Sequence, residues 1–364
     1  MINLNIAHRR LASQQLTSTV FEKPEEVVRC LGAVQAQDYY GVLWALGLRM
    51  QKASADDVER AMAEGRIVRT HPMRGTWHFV AGEDIRWLLS LTAPRMIAGS
   101  ASWYRRLELD DATIAASEQV IIRTLAGGKQ LTRRELAAAL ERAGIATQEL
   151  RLTFLMMRAE LDGVVVSGAR RGKQFTYALL DELGPAPRVL TRDEALAELV
   201  RRYFTGHGPA TAQDFAWWSS LTVADARAGL ALVGSDLASE VIDGQTYWFA
   251  PALPNENIAV SLTLLLPAYD EYTVAYKDRR AVVDPAHVKQ TSYGLAPTIV
   301  VNGQVVGIWK RTVKGRSITI EPELFVPLSD AEGDALKDAV GRYGMFFGES
   351  VSFQKKDLTK QMEA

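Results

Sequence analysis

Two glutamines one residue apart, Gln35 and Gln37, stand in the mainly apolar stretch LGAVQAQDYY. An amide buried without partners is costly, so a pair of them in such a segment needs a reason. Residues two apart face different directions on a helix but share one side of an extended or turn-like stretch. Asp38 follows at a position suited to capping a helix, so a helix junction is the expected setting. There the amides either satisfy backbone groups or face a reacting centre together. An amide is no useful base near neutral pH, but its oxygen can orient a water and its dipole can stabilise developing positive charge. That is modest help, sufficient only where the leaving group is already good.

Other residues with chemical potential are less pointed. Asp270-Glu271 ends the apolar run LLLPAYDEY, and paired carboxylates can do acid–base work. Neighbours on a strand point apart, however, and Asp270 is expected to anchor Lys277 or Arg279 instead. SGARRGKQ holds Gly172-Lys173 without the spacing or the Ser/Thr of a phosphate loop. The five histidines have no ligand spacing, although His71 and His78 would face each other on one hairpin, and Cys30 stands alone. Neither a metal nor a cofactor is expected. Trp44 and Trp217-Trp218 lie in helical runs and read as core, while Trp103 beside Arg105 and Arg106 stays open.

The formal net charge is -1, so phosphate affinity requires the cations to be gathered locally. They are: Arg66, Arg69 and Arg74; Arg170, Arg171 and Lys173; Lys277, Arg279 and Arg280; Lys310, Arg311, Lys314 and Arg316. With no apolar run long enough for a membrane span and no signal-peptide core, a cytoplasmic protein is expected.

The elements that must position these groups form a repeat. The first pass has helices over 5–16, from Pro24, over 40–50 and after the cap Ser54, then the hairpin RIVRTHPMRGTWHFV. The second has helices over 110–126, from the capping box Thr132/Glu135 and over 148–161, then VVVSGARRGKQFTYALL. The third starts at the capping box Thr191/Glu194 and closes with SEVIDGQTYWFA around Asp243-Gly244. Three helices and a hairpin, three times over, is the winged-helix order. The expected fold is α+β: three tandem winged-helix units over residues 1–108 (with connecting helices), 109–184 and 185–252. A β-rich domain over 253–328, with the hairpin turn Asn302-Gly303, and a C-terminal helix and tail over 329–364 complete it.

The third helix of each unit is poorly equipped to read bases. The first is acidic (Asp56, Asp57, Glu59, Glu64), the second is apolar enough to be largely buried, and the third offers only Arg227. The hairpins carry the cations instead. Arg69, His71 and Arg74 decorate the first, and Arg170, Arg171 and Lys173 the tip of the second. The third, with Glu240 and Asp243, reads as a strut. Cationic wings favour backbone and shape recognition of double-stranded DNA over base readout.

The segments VVRCLGAVQAQDYYGVLWALGLR, RTHPMRGTWHFV, RRGKQFTYALLDE, FAWWSSLT, LLLPAYDEYTVAYKDR and PTIVVNGQVVGIWKRT resemble the winged-helix family of DNA glycosylases that includes AlkZ and YcaQ. The resemblance runs from Glu22 to Pro327. It implies three winged-helix motifs in a C-shaped molecule with a concave DNA-binding surface. It implies hydrolysis of the glycosidic bond of alkylated purines, including crosslinked ones, as a DNA-repair activity. Gln35-Ala36-Gln37 corresponds to the family's Gln–apolar–Gln catalytic motif and departs from its Gln–apolar–Asp form. The expected DNA contacts are Arg69, His71, Arg74, Arg170, Arg171, Lys173, Lys277, Arg279, Lys310 and Arg311. The other reading is a non-catalytic DNA-binding protein, a regulator or architectural factor, insensitive to changes at the glutamines.

Overall fold

The computed structural model describes residues 4–251, 262–315 and 317–353. The expected boundary at 252/253, the Arg316 of the fourth basic cluster and the end of the tail lie outside the described residues.

The first pass comprises α1 (Leu4–Ser13), α2 (Pro24–Leu31), β1 (Val34–Gln35), α3 (Tyr39–Gly47), α4 (Ala55–Ala63) and the hairpin β2 (Ile67–Met73)–β3 (Thr76–Ala81). The second comprises α5 (Ile85–Gly99), α6 (Ala101–Arg106), α7 (Asp111–Leu125), β4 (Leu131–Thr132), α8 (Arg133–Arg142), α9 (Arg151–Leu161) and the hairpin β5 (Val165–Ser167)–β6 (Thr176–Leu179). The third is α10 (Arg192–His207), α11 (Ala212–Ser219), α12 (Val223–Val233) and the hairpin β7 (Ala238–Ile242)–β8 (Gln245–Phe249). Then come β9 (Thr263–Leu266), α13 (Glu271–Val274), β10 (Thr298–Val301), β11 (Gln304–Lys314), β12 (Ser317–Leu324), α14 (Asp330–Phe347) and β13 (Ser350–Phe353).

Local chemistry accounts for many of these boundaries. Thr132 and Thr191 accept from the backbone of Glu135 and Glu194, whose carboxylates return the bond, so both expected capping boxes close. Asp38 occupies the N-cap position of α3 but makes no capping hydrogen bond; its carboxylate lies over Gly41, where a Cβ would come within 2.9 Å. The stretch after Pro267, expected as strand, turns helical at Glu271. The cause is Asp270, whose side chain accepts from the Tyr272 backbone and starts α13. Beyond α14, where a polar tail was expected, β13 pairs parallel to β12. Around α9 the apolar residues divide: Leu155 and Met156 are buried, but Leu150 is exposed.

The first two hairpins merge. Arg69 of β2 pairs with Ser167 of β5, giving one six-stranded sheet in the order β1-β3-β2-β5-β6-β4. The third hairpin stands apart as a two-stranded ribbon, tied to the body by Arg9–Glu240 at 2.9 Å and a bridge from Trp248 to Ala210. The C-terminal strands form a second sheet, β13-β12-β11-β10-β9. One hydrophobic core is shared by the first pass and this distant sheet: Leu43, Trp44 and Leu46 of α3 pack with Leu265, Ile299, Trp309 and Tyr343. Trp44 Nε1 also donates to the Leu265 carbonyl at 2.7 Å. The loop between α2 and α3, which carries the glutamines, is therefore bounded by the six-stranded sheet and the C-terminal elements. No helix among the described residues is long and apolar enough to cross a membrane.

Candidate active site

Gln35 and Gln37 lie in the α2–α3 junction on extended backbone, with Val34 and Gln35 paired antiparallel to Phe79 and His78. Three of the junction's backbone groups are clamped. The Gln35 N–H donates to Glu271 Oε1 at 2.8 Å, and the Ala36 N–H to the Trp77 carbonyl at 2.7 Å. The Ala36 carbonyl accepts from Arg69 Nε and Nη2 at 3.2 and 3.1 Å. A segment held at three successive points pays its ordering entropy at folding, and so presents its side chains preorganised.

The two amides have different surroundings. Gln37 is exposed, and its Oε1 accepts from the Trp77 N–H at 3.3 Å. Gln35 is 7% exposed, and its Oε1 accepts from Arg74 Nη2 at 2.9 Å. The expectation that the amides serve backbone groups thus holds weakly for Gln37 and not for Gln35, whose side-chain partner is another side chain.

Behind Gln35 lies a buried polar cluster that the sequence did not announce. Glu271, fully buried, receives the Gln35 N–H on one oxygen and Trp218 Nε1 on the other at 2.9 Å, with His207 Nε2 3.5 Å away. Burial by itself would raise its pKa, but His207 and Arg74 outweigh that and bring it down to about 2. His78, also fully buried, is pushed down to about 3 by burial and by Arg74. It is neutral, and its tautomer follows from its partners. Nε2 faces a guanidinium, which can only donate, so the proton sits on Nδ1 facing the Thr76 carbonyl at 2.9 Å. The one sequence clue to this cluster was a carboxylate inside an apolar run, Glu271 in LLLPAYDEY.

The carboxylate pair divides as neighbours must. Glu271 goes to Gln35, whereas Asp270 forms a buried two-bond ion pair with Arg49 at 2.8 and 3.0 Å. That corrects the expected anchoring of Lys277 or Arg279; α13 turns Asp270 back toward α3 instead. Trp218 is core as expected, but Trp217 is 46% exposed.

The expected DNA contacts sort into three groups. Arg69 and Arg74 turn inward: Arg69 is 4% exposed, with its guanidinium 3.9 Å from the Trp77 ring centroid, and Arg74 is spent on Gln35, His78 and the Trp218 carbonyl. His71 does not meet His78; it pairs with the buried Glu160 and packs on the Trp77 ring at 3.7 Å. These three are not the surface cations that the hairpin pattern suggested.

The second group rims the glutamine loop. Arg170 lies 4.3 Å from the Tyr39 ring and 5.5 Å from that of Tyr40, and Arg311 lies 4.6 Å from Tyr40 while donating to the Tyr343 hydroxyl at 2.9 Å. Arg279 sits over Trp217 at 5.9 Å, its pKa lowered by burial and by Arg74. Arg170 and Arg311 therefore reach Tyr39 and Tyr40, and Arg69 and Arg74 reach Ala36 and Gln35, whereas Arg279 reaches Trp217. In the third group, Lys173, Lys277 and Lys310 are exposed and Arg171 pairs with Glu135 at 2.9 Å.

Comparison with known proteins agrees in one direction. A family model described as DNA glycosylase AlkZ-like matches residues 28–346. The interstrand DNA cross-link repair glycosylase of Streptomyces sahachiroi is 26% identical over 346 residues, covering 89% of this chain and 90% of that protein. The solved structure of Streptomyces sahachiroi DNA glycosylase AlkZ has a TM-score of 0.79 at 22% identity, over 98% of this chain and 100% of that one; this likeness is one of fold.

Proposed function

The chain belongs to the AlkZ-like family of DNA glycosylases, and on that premise we propose that it hydrolyses the N-glycosidic bond of cationic alkylated purines in double-stranded DNA, interstrand-crosslinked guanine among them. The name of the Streptomyces sahachiroi relative supports the crosslink. The carrying observation is Gln37: an exposed amide on a backbone clamped at three points, beside the aromatic and cationic rim of Tyr40, Arg170 and Arg311.

The proposed chemistry follows from what amides can do. The purine is already cationic, so breaking the bond from C1′ sends the electron pair onto the ring and yields a neutral base without a protein acid. Water adds to the sugar cation, and its proton leaves to solvent. Gln37 Oε1 has a second lone pair for that water and a dipole facing the growing positive charge. No metal or cofactor enters this scheme. We read the three helix–hairpin passes as winged-helix units around a concave DNA surface, with domains divided as the sequence suggested. A crosslinked base cannot swing fully out of the duplex, so a site rimmed by wings that works within the groove suits it. Release of alkylated guanine from duplex DNA at saturating protein tests the reading. No release across several alkyl lesions would favour a non-catalytic DNA-binding role.

A further inference from the structure

The first hairpin turn is built from an unsuitable residue. Arg74 and Gly75 both have positive φ, 56° and 63°, as a two-residue type I′ turn requires. The chain makes the same turn with Asp243-Gly244 and Asn302-Gly303, using residue types that tolerate the left-handed region. Arginine there is strained, and such strain persists where the surroundings use it. The turn aims the side chain inward rather than at solvent. Its Nη2 donates to Gln35 Oε1 and to His78 Nε2, both at 2.9 Å, Nη1 to the Trp218 carbonyl at 2.9 Å, and its backbone N–H to Ser220 Oγ at 2.9 Å.

A guanidinium has donors only, so the Gln35 atom facing it must be the oxygen. Gln35 Nε2 is then the atom turned away from Arg74. No described residue accepts from it, and Gln35 keeps a small residual exposure of 7%. Gln37 shows the opposite face: its oxygen is near the surface with only the long Trp77 bond on it.

We propose that Arg74 is a positioning residue that locks the Gln35 amide with its N–H outward, so that the glutamine pair acts as one donor and one acceptor rather than as two equivalent amides. This rests on the glycosylase reading above. Gln37 Oε1 serves the water and the sugar cation. Gln35 Nε2 donates to the departing purine, onto whose acceptor atoms the bonding electron pair moves as C1′ and the base separate. A donor that strengthens its bond as charge shifts lowers the barrier without moving a proton.

Single-turnover release of 7-methylguanine from duplex DNA, with duplex affinity measured in parallel, tests this. Gln35→Glu keeps size and the bond to Arg74 but replaces the donor with a second acceptor. We expect it to lose at least about tenfold in rate, and Gln35→Ala to lose as much. Arg74→Ala should lower the rate to a similar extent with affinity for undamaged duplex changed less than about twofold, since a half-buried guanidinium engaged by Gln35, His78 and the Trp218 carbonyl adds little to counterion release. In a Gln35→Ala background it should cost nothing further. Wild-type rate in Gln35→Glu, additive losses for Arg74 and Gln35, or a weakened duplex affinity in Arg74→Ala would each overturn the proposal. Should Arg74→Ala not fold, Gln35→Glu alone still decides. Equal rates for wild type and Gln37→Ala would instead overturn the underlying catalytic reading.

Discussion

Glu271 accepts the backbone N–H of Gln35 at 2.8 Å across a separation of 236 residues, so the C-terminal part of the chain holds the glutamine loop from behind. Among the described residues that bond is the one that satisfies the buried N–H of Gln35 on the edge strand β1. Glu271 is therefore structural, and its effects should be read in stability and in the rigidity of the loop.

Gln37→Ala should reduce base release by at least about a hundredfold at saturating protein, the scale for loss of a preorganised polar group at a reacting centre. Duplex affinity should change little, because a neutral amide releases no counterions. Uracil, which departs without a cationic ring, should be a poor substrate with the wild type. Efficient uracil release would mean that some other group supplies a proton.

Affinity for duplex DNA should fall steeply with salt and depend little on sequence. The double change Arg170→Ala and Arg311→Ala should lower the slope of log affinity against log salt by about two, one per lost phosphate contact. Arg69→Ala should not do so, because its guanidinium holds the Ala36 carbonyl inside the protein. An effect confined to one DNA sequence would point to base readout.

Stability should fall on the acid side, with the sign set by two depressed pKa values. His78 is held near 3, below its ordinary 6.5, so protons bind the unfolded chain first and stability is lost as pH drops below about 6.5. Glu271 is held near 2 against an ordinary 4.5, adding stability present above 4.5 that disappears as pH falls toward 2. Its share is on the order of 3 kcal/mol. Glu271→Gln should reduce the slope of the unfolding profile between pH 4.5 and 2, while leaving the slope that belongs to His78 between 6.5 and about 3. Thermal melts across pH 2–7 check both.

Asp270→Asn should destabilise the protein by about 3–5 kcal/mol, because Arg49 would keep a buried charge without its counter-ion. Lys277→Ala, at an exposed position, should change stability by less than about 0.5 kcal/mol. Equal effects from the two would restore the pairing suggested by sequence proximity.

The sequence alone determined whatever depends on neighbours along the chain. The capping boxes at Thr132 and Thr191 and the Asp243-Gly244 and Asn302-Gly303 turns were readable because their hydrogen bonds and backbone angles lie within four residues. The helix junction around Gln35 and Gln37 was readable from two polar residues at period two in an apolar stretch. Family membership followed from motifs spread along the chain. What only the tertiary structure decided is which charges are desolvated. Arg74 and Arg170 look alike in sequence, each beside a glycine-containing hairpin turn. A left-handed backbone at residue 74 drives one guanidinium inward onto Gln35, while the other rests on the Tyr39 ring at the rim. Likewise nothing near Glu271 in the chain points to Gln35, because burial and long-range hydrogen bonding arise only when the first pass and the C-terminal sheet close over one core.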